Sequence, residues 1–243
     1  MNKNIEGVGE VQVPSTPKKK IQNFWYHYKW HSIAAVFLLV TVIICTLQLC
    51  TRTEYDAYIL YAGNKNIGRT AEDGDVAEIV TVISSLKRIT DDFDENGEIS
   101  VSFLNYYYLS REEINNSDNV NDALLASDQK ALSSTLEHSE YYLCFISPEV
   151  YEQYHKVGGD ELFISLGEYK TAHPEIEYYA DNAIRLSSTG ASALPGLSAL
   201  PEDTLICIRY PSFLAVKSDK HLAHFDNAKK MLENILDFKI NWF

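Results

Sequence analysis

The hydrophobic pattern divides the chain into one long apolar run and a longer segment of alternating character. Residues 32–49 read SIAAVFLLVTVIICTLQL, a run without a charged side chain. At a rise of 1.5 Å per residue such a helix spans roughly 27 Å, close to the ~30 Å hydrocarbon layer of a bilayer. The run therefore predicts a transmembrane helix with its core at residues 32–49.

Aromatic residues flank this run on its amino-terminal side, in the stretch FWYHYKWH that begins at residue 24. Tryptophan and tyrosine are typical of the headgroup region, so residues 24–50 are predicted to form an aromatic belt and the membrane helix. A buried helix of a soluble core is an alternative, but polar residues should then recur every three or four positions. A cleaved signal peptide is a second alternative, but no small-residue cleavage site follows residue 49.

Basic residues indicate the orientation of the predicted helix. Lysines at 18–20 and Lys29 precede it, whereas Arg52 is the only basic residue in the dozen positions that follow. By the positive-inside rule, the N-terminus is cytoplasmic and the rest of the chain is outside. We therefore expect a single-pass protein of the cell membrane with a disordered cytoplasmic tail at 1–23 and an extracytoplasmic domain at 54–243.

The segment after the apolar run alternates strand-like and helix-like patterns, which is typical of a layered α/β fold with a mainly parallel or mixed sheet. Strands are predicted at YDAYILYAG (55–63), EISVSFLNYYYL (98–109), YYLCFI (141–146) and DTLICIRYP (203–211). Helices are predicted at residues 75–89, 119–139, 147–155 and 219–243.

Between the third strand and the last one the pattern is weaker. ELFISLGEY (161–169) and NAIRLSS (182–188) are predicted as short strands or edges. STGASALPGLSALPED (188–203) is rich in small and turn-forming residues, so we predict a surface loop there.

Two resemblances accompany these patterns. The single N-terminal anchor followed by YDAYILYAG resembles uncharacterised membrane-anchored extracytoplasmic proteins of Gram-positive bacteria. The stretches YYLCFISPEVYEQY, LFISLGEYKTA and NAIRLSS, within residues 141–188, are similar to part of the type 2 periplasmic (solute-)binding fold. That resemblance implies one lobe of the fold, because residues 54–243 are too few for two lobes that close over a ligand.

Candidate ligand-binding residues follow from the expected sheet. Open α/β sheets bind ligands in the crevice beyond the carboxyl ends of their parallel strands. In this chain that rim is AGNKN, after the first strand, together with the residues that follow YYLCFI. The candidates are Gly63, Asn64, Lys65, Ser147 and Glu149, and the alternative is that they belong to ordinary loops.

The charge of the chain narrows the range of partners. It carries 34 acidic and 21 basic residues, a formal net charge of −13, and nearly all of the acidic residues follow the apolar run. Nucleic-acid binding requires clustered lysine and arginine, so we expect no nucleic-acid partner. The acidity of the exterior domain favours cations as binding partners, or it keeps the domain soluble.

The acid-rich stretch DDFDENGEIS (91–100) has the spacing of a calcium-binding loop. With Asp92 at position 1, Gly97 takes position 6, which requires a sharp turn. Position 12 should be a bidentate glutamate but is Phe103, and the preceding residues alternate like a strand, so an EF-hand is excluded. The arrangement resembles the calcium loop of some bacterial sugar-binding proteins, in which a distant segment supplies the last carboxylate.

A structural calcium ion is therefore one expectation for this loop, and a helix-to-strand turn with solvated acids is the alternative. The predicted calcium ligands are Asp92, Asp94, Asn96, Glu98 and Ser100.

Catalytic motifs are weak or missing. GxSxG, HExxH and phosphate-binding glycine loops do not occur, and His221 and His224 lack a third metal ligand nearby in sequence. Cys144 and Cys207 lie in apolar runs, where they are either buried thiols or, if their strands are neighbours, a disulfide.

Together these features predict a non-catalytic, membrane-anchored extracytoplasmic domain that binds a small ligand or a protein partner at the cell surface. Its lipid contact is through residues 32–49. The alternatives are a structural subunit of a membrane complex and, with less support, a hydrolase that acts on the cell wall.

Overall fold

The computed structural model describes residues 17–50, 54–67, 76–116, 121–157, 159–213 and 215–239. The chain forms two compact units, Met1–Glu54 and Tyr55–Phe243.

The first unit contains the helix α1 (Pro17–Cys50). Its stretch Phe24–Thr46 is long and apolar enough to cross a membrane, and none of the most apolar window within it is buried. The hydroxyl of Thr41 donates to the carbonyl of Phe37 at 2.9 Å, so this polar group is satisfied within the helix, as a bilayer requires. The prediction of an N-terminal helix of membrane-spanning length is confirmed, and such a helix fits a membrane anchor or a signal sequence.

The predicted disordered tail needs a correction at its end. Residues 17–23 belong to α1, because lysine and glutamine have good helix propensity and Pro17 suits the first helical position. Residues 1–16 of the predicted tail lie outside the described residues.

A six-stranded mixed sheet forms the centre of the second unit, which confirms the predicted α/β class. The strands of this unit are β1 (Ala57–Gly63), β2 (Val101–Tyr107), β3 (Leu143–Ile146), β4 (Lys156–Val157), β5 (Asp160–Glu161), β6 (Tyr178–Ala180), β7 (Ala183–Arg185) and β8 (Leu205–Ile208). In the large sheet β2, β1 and β3 are parallel neighbours, and β8, β7 and β6 continue the sheet antiparallel. A separate hairpin consists of β4 and β5.

Helices cover both faces of this sheet, which explains why β1, β3 and β8 are continuous apolar runs. The helices are α2 (Val76–Lys87), α3 (Arg111–Asn116), α4 (Asp122–His138), α5 (Pro148–Tyr154), α6 (Gly167–Ala172) and α7 (Asp219–Asp237). On one face, Ile59 and Tyr61 of β1 pack in the same core cluster as side chains of α2 and α7. On the other face, Leu60 and Ala62 pack in a second cluster with side chains of α4 and α5.

The predicted surface loop at 188–203 is only partly correct: the segment has no α-helix or strand, but several of its side chains belong to the core. It contains a short 3₁₀ helix at Gly190–Ala193, and leucines spaced three residues apart, Leu194, Leu197 and Leu200, are buried. Its small residues allow the segment to pack closely against α2, because a Cβ on Gly196 would lie 2.4 Å from the carbonyl oxygen of Thr81 in that helix.

The predicted strand at 161–169 is also only partly correct. Phe163 forms an isolated bridge with Arg209, but Gly167–Ala172 is the helix α6. Lys170 N donates to the Leu166 carbonyl at 2.9 Å, which shows that local helical bonding replaces strand pairing after that bridge.

The two core cysteines are directly opposite each other. Cys144 of β3 pairs with Cys207 of β8, and both are free, buried thiols. Burial raises the pKa of the Cys144 thiol to about 12, so it stays protonated and packs as a small hydrophobic side chain.

Candidate functional site

The carboxyl ends of β1, β2 and β3 meet at one edge of the sheet, which we call the carboxyl edge. Ser147 N donates to the carbonyl of Ala62 at 2.9 Å, and Tyr108 N donates to that of Gly63 at 2.9 Å. These bonds hold the loops after the three strands side by side.

A hollow of about 500 Å³ opens at the carboxyl edge, and we call it the acidic crevice. Two of the five predicted ligand-binding residues, Asn64 and Glu149, line it. The described residues that line it are Asn64, Tyr107, Leu109, Ser110, Glu112, Glu113, Asn116 and Glu149.

One wall of the crevice is the start of α3, which a reciprocal capping arrangement fixes. Ser110 N donates to Glu113 Oε2 at 2.8 Å, and Glu113 N donates to the Ser110 hydroxyl at 3.2 Å. This is a capping box, which satisfies two backbone donors at the helix start. The second carboxylate oxygen of Glu113 accepts a hydrogen bond from Asn64 Nδ2 at 2.8 Å, so α3 is tied to the loop after β1.

The crevice is negatively charged. Within the described part of the chain, its lining contains three glutamates and no basic residue. Burial acts to raise the pKa of Glu113, but hydrogen bonds from Asn64 and Ser110 outweigh it and hold that pKa below its ordinary value. Burial and the charge of Glu113 raise the pKa of Tyr107, whose phenol therefore remains a neutral polar group. At neutral pH the crevice can attract and hydrogen-bond a cation.

The other three predicted ligand-binding residues do not line the crevice. Gly63 leaves room for the side chain of Tyr61, because a Cβ at position 63 would lie 2.7 Å from the Tyr61 hydroxyl. Lys65 forms an ion pair with Glu78 of α2 and donates to the carbonyl of Ala199 at 2.6 Å, so its ammonium group is already engaged within the fold.

Ser147 has a structural role as well. It is buried, and its hydroxyl accepts a hydrogen bond from Val150 N, which makes it the N-cap of α5 as its sequence context predicts.

Tyr107, Glu112 and Glu113 were not among the predicted site residues. For Glu113 a signal was present, because the serine and glutamate of SREE, at 110 and 113, have capping-box spacing directly after a predicted strand. The contact between Asn64 and Glu113 had no such signal, because it depends on β1 and β2 being parallel neighbours.

The acid-rich loop at 91–100 lies at the opposite, amino edge of the sheet, where β1, β2 and β3 begin. Among the described residues, one group of three or more histidines, cysteines or acids could hold a metal ion, namely Asp56, Asp92 and Asp94. One oxygen from each of these carboxylates lies within 4.8 Å of the others. Asp56 thus occupies the place expected for a carboxylate from a distant segment, and Glu98 is not in the group.

Asp56 is 2% exposed and already has a full set of hydrogen bonds. Its Oδ1 accepts from Phe93 N at 2.8 Å and Asp94 N at 3.3 Å, and its Oδ2 accepts from Ser100 N at 2.7 Å and Ser100 Oγ at 3.0 Å. A carboxylate offers about four lone-pair sites. The four bonds leave Asp56 little capacity to bind a cation directly.

These bonds also determine the charge of Asp56. Burial acts to raise its pKa, but the hydrogen bonds from Ser100, Phe93 and Asp94 outweigh it and hold the pKa below its ordinary value. The carboxylate is therefore ionised at neutral pH, and it stabilises the loop as a charged acceptor.

The rest of the loop is hydrogen-bonded to itself. Asp92 Oδ2 accepts from Gly97 N at 2.7 Å, and Asp94 Oδ1 accepts from Asn96 N at 3.1 Å. Gly97, with φ of 86°, provides the sharp turn that the sequence predicts. The carboxylates of Asp92 and Asp94 each retain lone pairs, so calcium binding at this loop stays a prediction.

The two histidines of α7 are engaged separately. The hydroxyl of Tyr142 lies 3.1 Å from His221 Nδ1, and His224 Nδ1 lies 3.4 Å from Glu140 Oε2. His224 is buried and stacks on Tyr58 with ring centroids 4.6 Å apart. Both histidines therefore belong to the packing of the amino edge.

Comparison with known proteins adds no relative: no protein-family model, no curated protein and no solved structure matches this chain. The resemblance to a lobe of the type 2 periplasmic-binding fold stays a prediction.

Proposed function

We propose that this protein is a single-pass membrane protein whose extracytoplasmic α/β domain binds a small, positively charged ligand in the acidic crevice. It acts by binding and not by catalysis. The observation that supports this function is the crevice itself, which lies where three parallel strands end. Among the described residues, those that line it include three glutamates and no basic residue.

The position of the crevice supports a binding role. Open α/β sheets place ligands beyond the carboxyl ends of their parallel strands, and β1 is the central strand of this parallel group. A volume of about 500 Å³ lies in the range of small-molecule sites. Leu109 contributes an apolar surface, while Asn64 and Tyr107 contribute polar atoms that can orient a ligand.

The charges of the crevice support a cationic ligand. Glu113 is held ionised by its hydrogen bonds, and Glu112 and Glu149 add two further carboxylates. A cation that replaces its hydration with these oxygens gains charge-assisted hydrogen bonds, which are about twice as strong as neutral ones. An anionic ligand would meet three like charges.

The membrane part of the proposal rests on α1. Its apolar stretch Phe24–Thr46 matches the thickness of a bilayer, and the lysines at 18–20 precede it. The positive-inside rule then favours a cytoplasmic N-terminus. The second unit is accordingly outside the cell.

Calorimetric titration of the full-length protein in lipid nanodiscs tests the ligand. Primary amines, guanidinium compounds and quaternary ammonium compounds are compared with neutral and anionic compounds of similar size. We expect binding by cations alone, with affinity that falls as salt screens the carboxylates.

A variant pair locates the site. Glu112→Gln combined with Glu149→Gln should weaken cation binding by roughly ten- to a hundredfold for each carboxylate, since a hydrogen bond to a charged group contributes ~1.5–3 kcal/mol. The matched control is Glu168→Gln, which removes an exposed carboxylate from α6, outside the crevice lining. Unchanged cation binding in the double variant would disprove the assignment.

A further inference from the structure

Arg209 is a buried cation that no carboxylate of the α/β domain neutralises. It is 1% exposed, and among the described residues no aspartate or glutamate forms an ion pair with it. An arginine side chain stays protonated in proteins, and burying a charge is costly unless a group of opposite charge accompanies it. The position directly after β8 therefore carries a positive charge that a bound anion can neutralise.

Backbone carbonyls hold the guanidinium of Arg209 in place. Its Nε donates to the carbonyl of Tyr141 at 3.5 Å, and its Nη1 donates to that of Tyr210 at 3.2 Å. Its Nη2 donates to the carbonyl of Ser139, and the centre of the Tyr142 ring lies 4.8 Å from its Cζ. Even with the Tyr142 hydroxyl as a fourth acceptor, one of the five N–H donors of an arginine remains.

Arg209 lines a second hollow, of about 550 Å³, which we call the arginine hollow. The hollow lies at the amino edge of the sheet, because β8 is antiparallel to β3 and ends beside its start. Tyr210 N donates to the carbonyl of Leu162 at 2.9 Å, and Phe163 forms a bridge with Arg209, so two walls are held side by side. The end of α4 contributes a third wall.

The arginine hollow combines both charges with apolar surface. Within the described part of the chain, Arg209 is its only arginine or lysine, and Glu137 and Glu161 are its acidic residues. The two glutamates are exposed whereas Arg209 is buried, so the negative charges lie nearer to solvent than the positive one. Large apolar side chains in the lining are Leu136, Leu162 and Phe213.

This distribution of charge favours a zwitterion. A simple anion is attracted by Arg209 but repelled by two glutamates, and a simple cation meets the reverse. A ligand that carries a carboxylate and an ammonium group close together satisfies both signs, through charge-assisted hydrogen bonds. The leucines and Phe213 then provide contact for an apolar side chain, and the volume lies in the range of small-molecule sites.

We propose that the arginine hollow binds a free amino acid with a large apolar side chain. The carboxylate binds Arg209, the ammonium group faces Glu137 and Glu161, and the side chain packs on Leu136, Leu162 and Phe213. This site is separate from the acidic crevice at the opposite edge of the sheet. The inference depends neither on a cationic ligand in that crevice nor on the membrane anchoring of α1.

Calorimetric titration of the full-length protein in lipid nanodiscs tests the ligand class. L-Phenylalanine is compared with 3-phenylpropanoate, which lacks the ammonium group, and with 2-phenylethylamine, which lacks the carboxylate. Phenylalanine should bind at least about tenfold more tightly than either analogue, since each analogue loses a hydrogen bond to a charged group. Equal binding of phenylalanine and 3-phenylpropanoate, or no binding of phenylalanine at millimolar concentration, would overturn the inference.

Variants of exposed residues locate the amino acid without disturbing the buried arginine. Glu161→Gln should weaken phenylalanine binding by roughly tenfold, and Phe213→Ala by about three- to tenfold. The matched controls are Glu168→Gln and Val80→Ala, which change exposed side chains outside the lining and should leave phenylalanine binding unchanged.

The crevice double variant, Glu112→Gln with Glu149→Gln, separates this site from the acidic crevice. It should bind phenylalanine as the parent protein does, even where its binding of simple cations is lost. Loss of phenylalanine binding in that variant, together with parent-like binding in Glu161→Gln, would assign the amino acid to the acidic crevice and contradict the inference.

Discussion

Asp56 connects the acid-rich loop to the sheet. It precedes β1 directly, and its carboxylate binds backbone donors on both sides of the loop, at Phe93 and at Ser100. The backbone adds to this, because Asp56 N donates to the Ser100 carbonyl at 3.1 Å. A single buried charge thus connects both ends of the loop to the start of β1.

We predict that Asp56→Asn lowers the free energy of unfolding by about 2 kcal/mol, because an amide offers one acceptor oxygen and presents donors to donors. For a domain of this size the melting temperature should fall by about 4–8 °C. Near-ultraviolet circular dichroism of the full-length protein in detergent measures it. The control is Asp226→Asn, an exposed partner of Lys229, which should change stability by less than about 0.5 kcal/mol.

The loss of stability caused by Asp56→Asn should depend on pH. Because the folded pKa of Asp56 lies below its ordinary value of about 3.8, the charged carboxylate stabilises the fold above that pH and loses this effect as pH falls towards the folded pKa. The difference in melting temperature between the parent protein and Asp56→Asn should be constant near pH 7 and should shrink below about pH 4. A difference that grows in acid would contradict this role.

At the scale of elements, the segment 188–203 shows how small residues act in a core. Gly196 N donates to the hydroxyl of Ser85 at 3.0 Å, so the segment is bonded to α2 as well as packed against it. The closest atoms to a Cβ at Gly196 belong to the backbone of α2, which cannot move aside as a flexible side chain does.

We predict that Gly196→Ala lowers the free energy of unfolding by about 3 kcal/mol, because an added Cβ forces the segment away from α2. Urea unfolding of the full-length protein in detergent measures this. Gly167→Ala is the control, since a Cβ at Gly167 meets only the hydroxyl of Ser165, at 3.6 Å, and alanine favours a helix. Equal stability of the two variants would show that α2 and the segment are not in close contact.

The acid-rich loop carries the calcium prediction. Extracellular calcium sites work at about 10⁻⁴ to 10⁻³ M, so ~10 mM calcium should stabilise the protein by about 1.4–2.7 kcal/mol and raise its melting temperature by a few degrees. EDTA should reverse the rise, and Asp92→Ala should abolish it. No rise at that concentration, or a rise of equal size in Asp92→Ala, would show that the loop is a turn stabilised by hydrogen bonds alone.

At the scale of the whole molecule, the orientation of α1 in the membrane decides on which side of the membrane the α/β domain lies. We predict that a membrane-impermeant maleimide labels Ala223→Cys, an exposed position on α7, in intact cells. Lys18→Cys should be labelled only after permeabilisation. The reverse pattern would place the domain in the cytoplasm, and release of the domain into the medium would show that α1 is a cleaved signal sequence.

Much of the architecture was predictable, because it depends on local periodicity. The apolar run of α1, the doubly covered strands β1, β3 and β8, and the capped helix α5 all have patterns that few other structures would produce. The errors fell where a local pattern is ambiguous. Glycine and proline at 188–203 indicated a loop, while the spacing of the leucines there was the signal of burial.

The candidate sites were less predictable, because they join segments far apart in sequence. Asn64 reaches Glu113, and Asp56 reaches Ser100, across the pairing of β1 with β2. The register of neighbouring strands depends on packing between segments that are distant in sequence, so no short stretch of the sequence predicts it.

By itself, the sequence determined that the chain has one apolar helix of membrane length, an acidic α/β segment after it and no recognised catalytic motif, because these follow from composition and from periods of two and 3.6 residues. The tertiary structure alone decided which acids meet. Parallel neighbours β1, β2 and β3 gather three glutamates at the carboxyl edge, and the antiparallel β8 places Arg209 beside the start of β3. The physical reason is that strand order and direction are set by long-range burial, whereas the elements themselves are set by their neighbours in sequence.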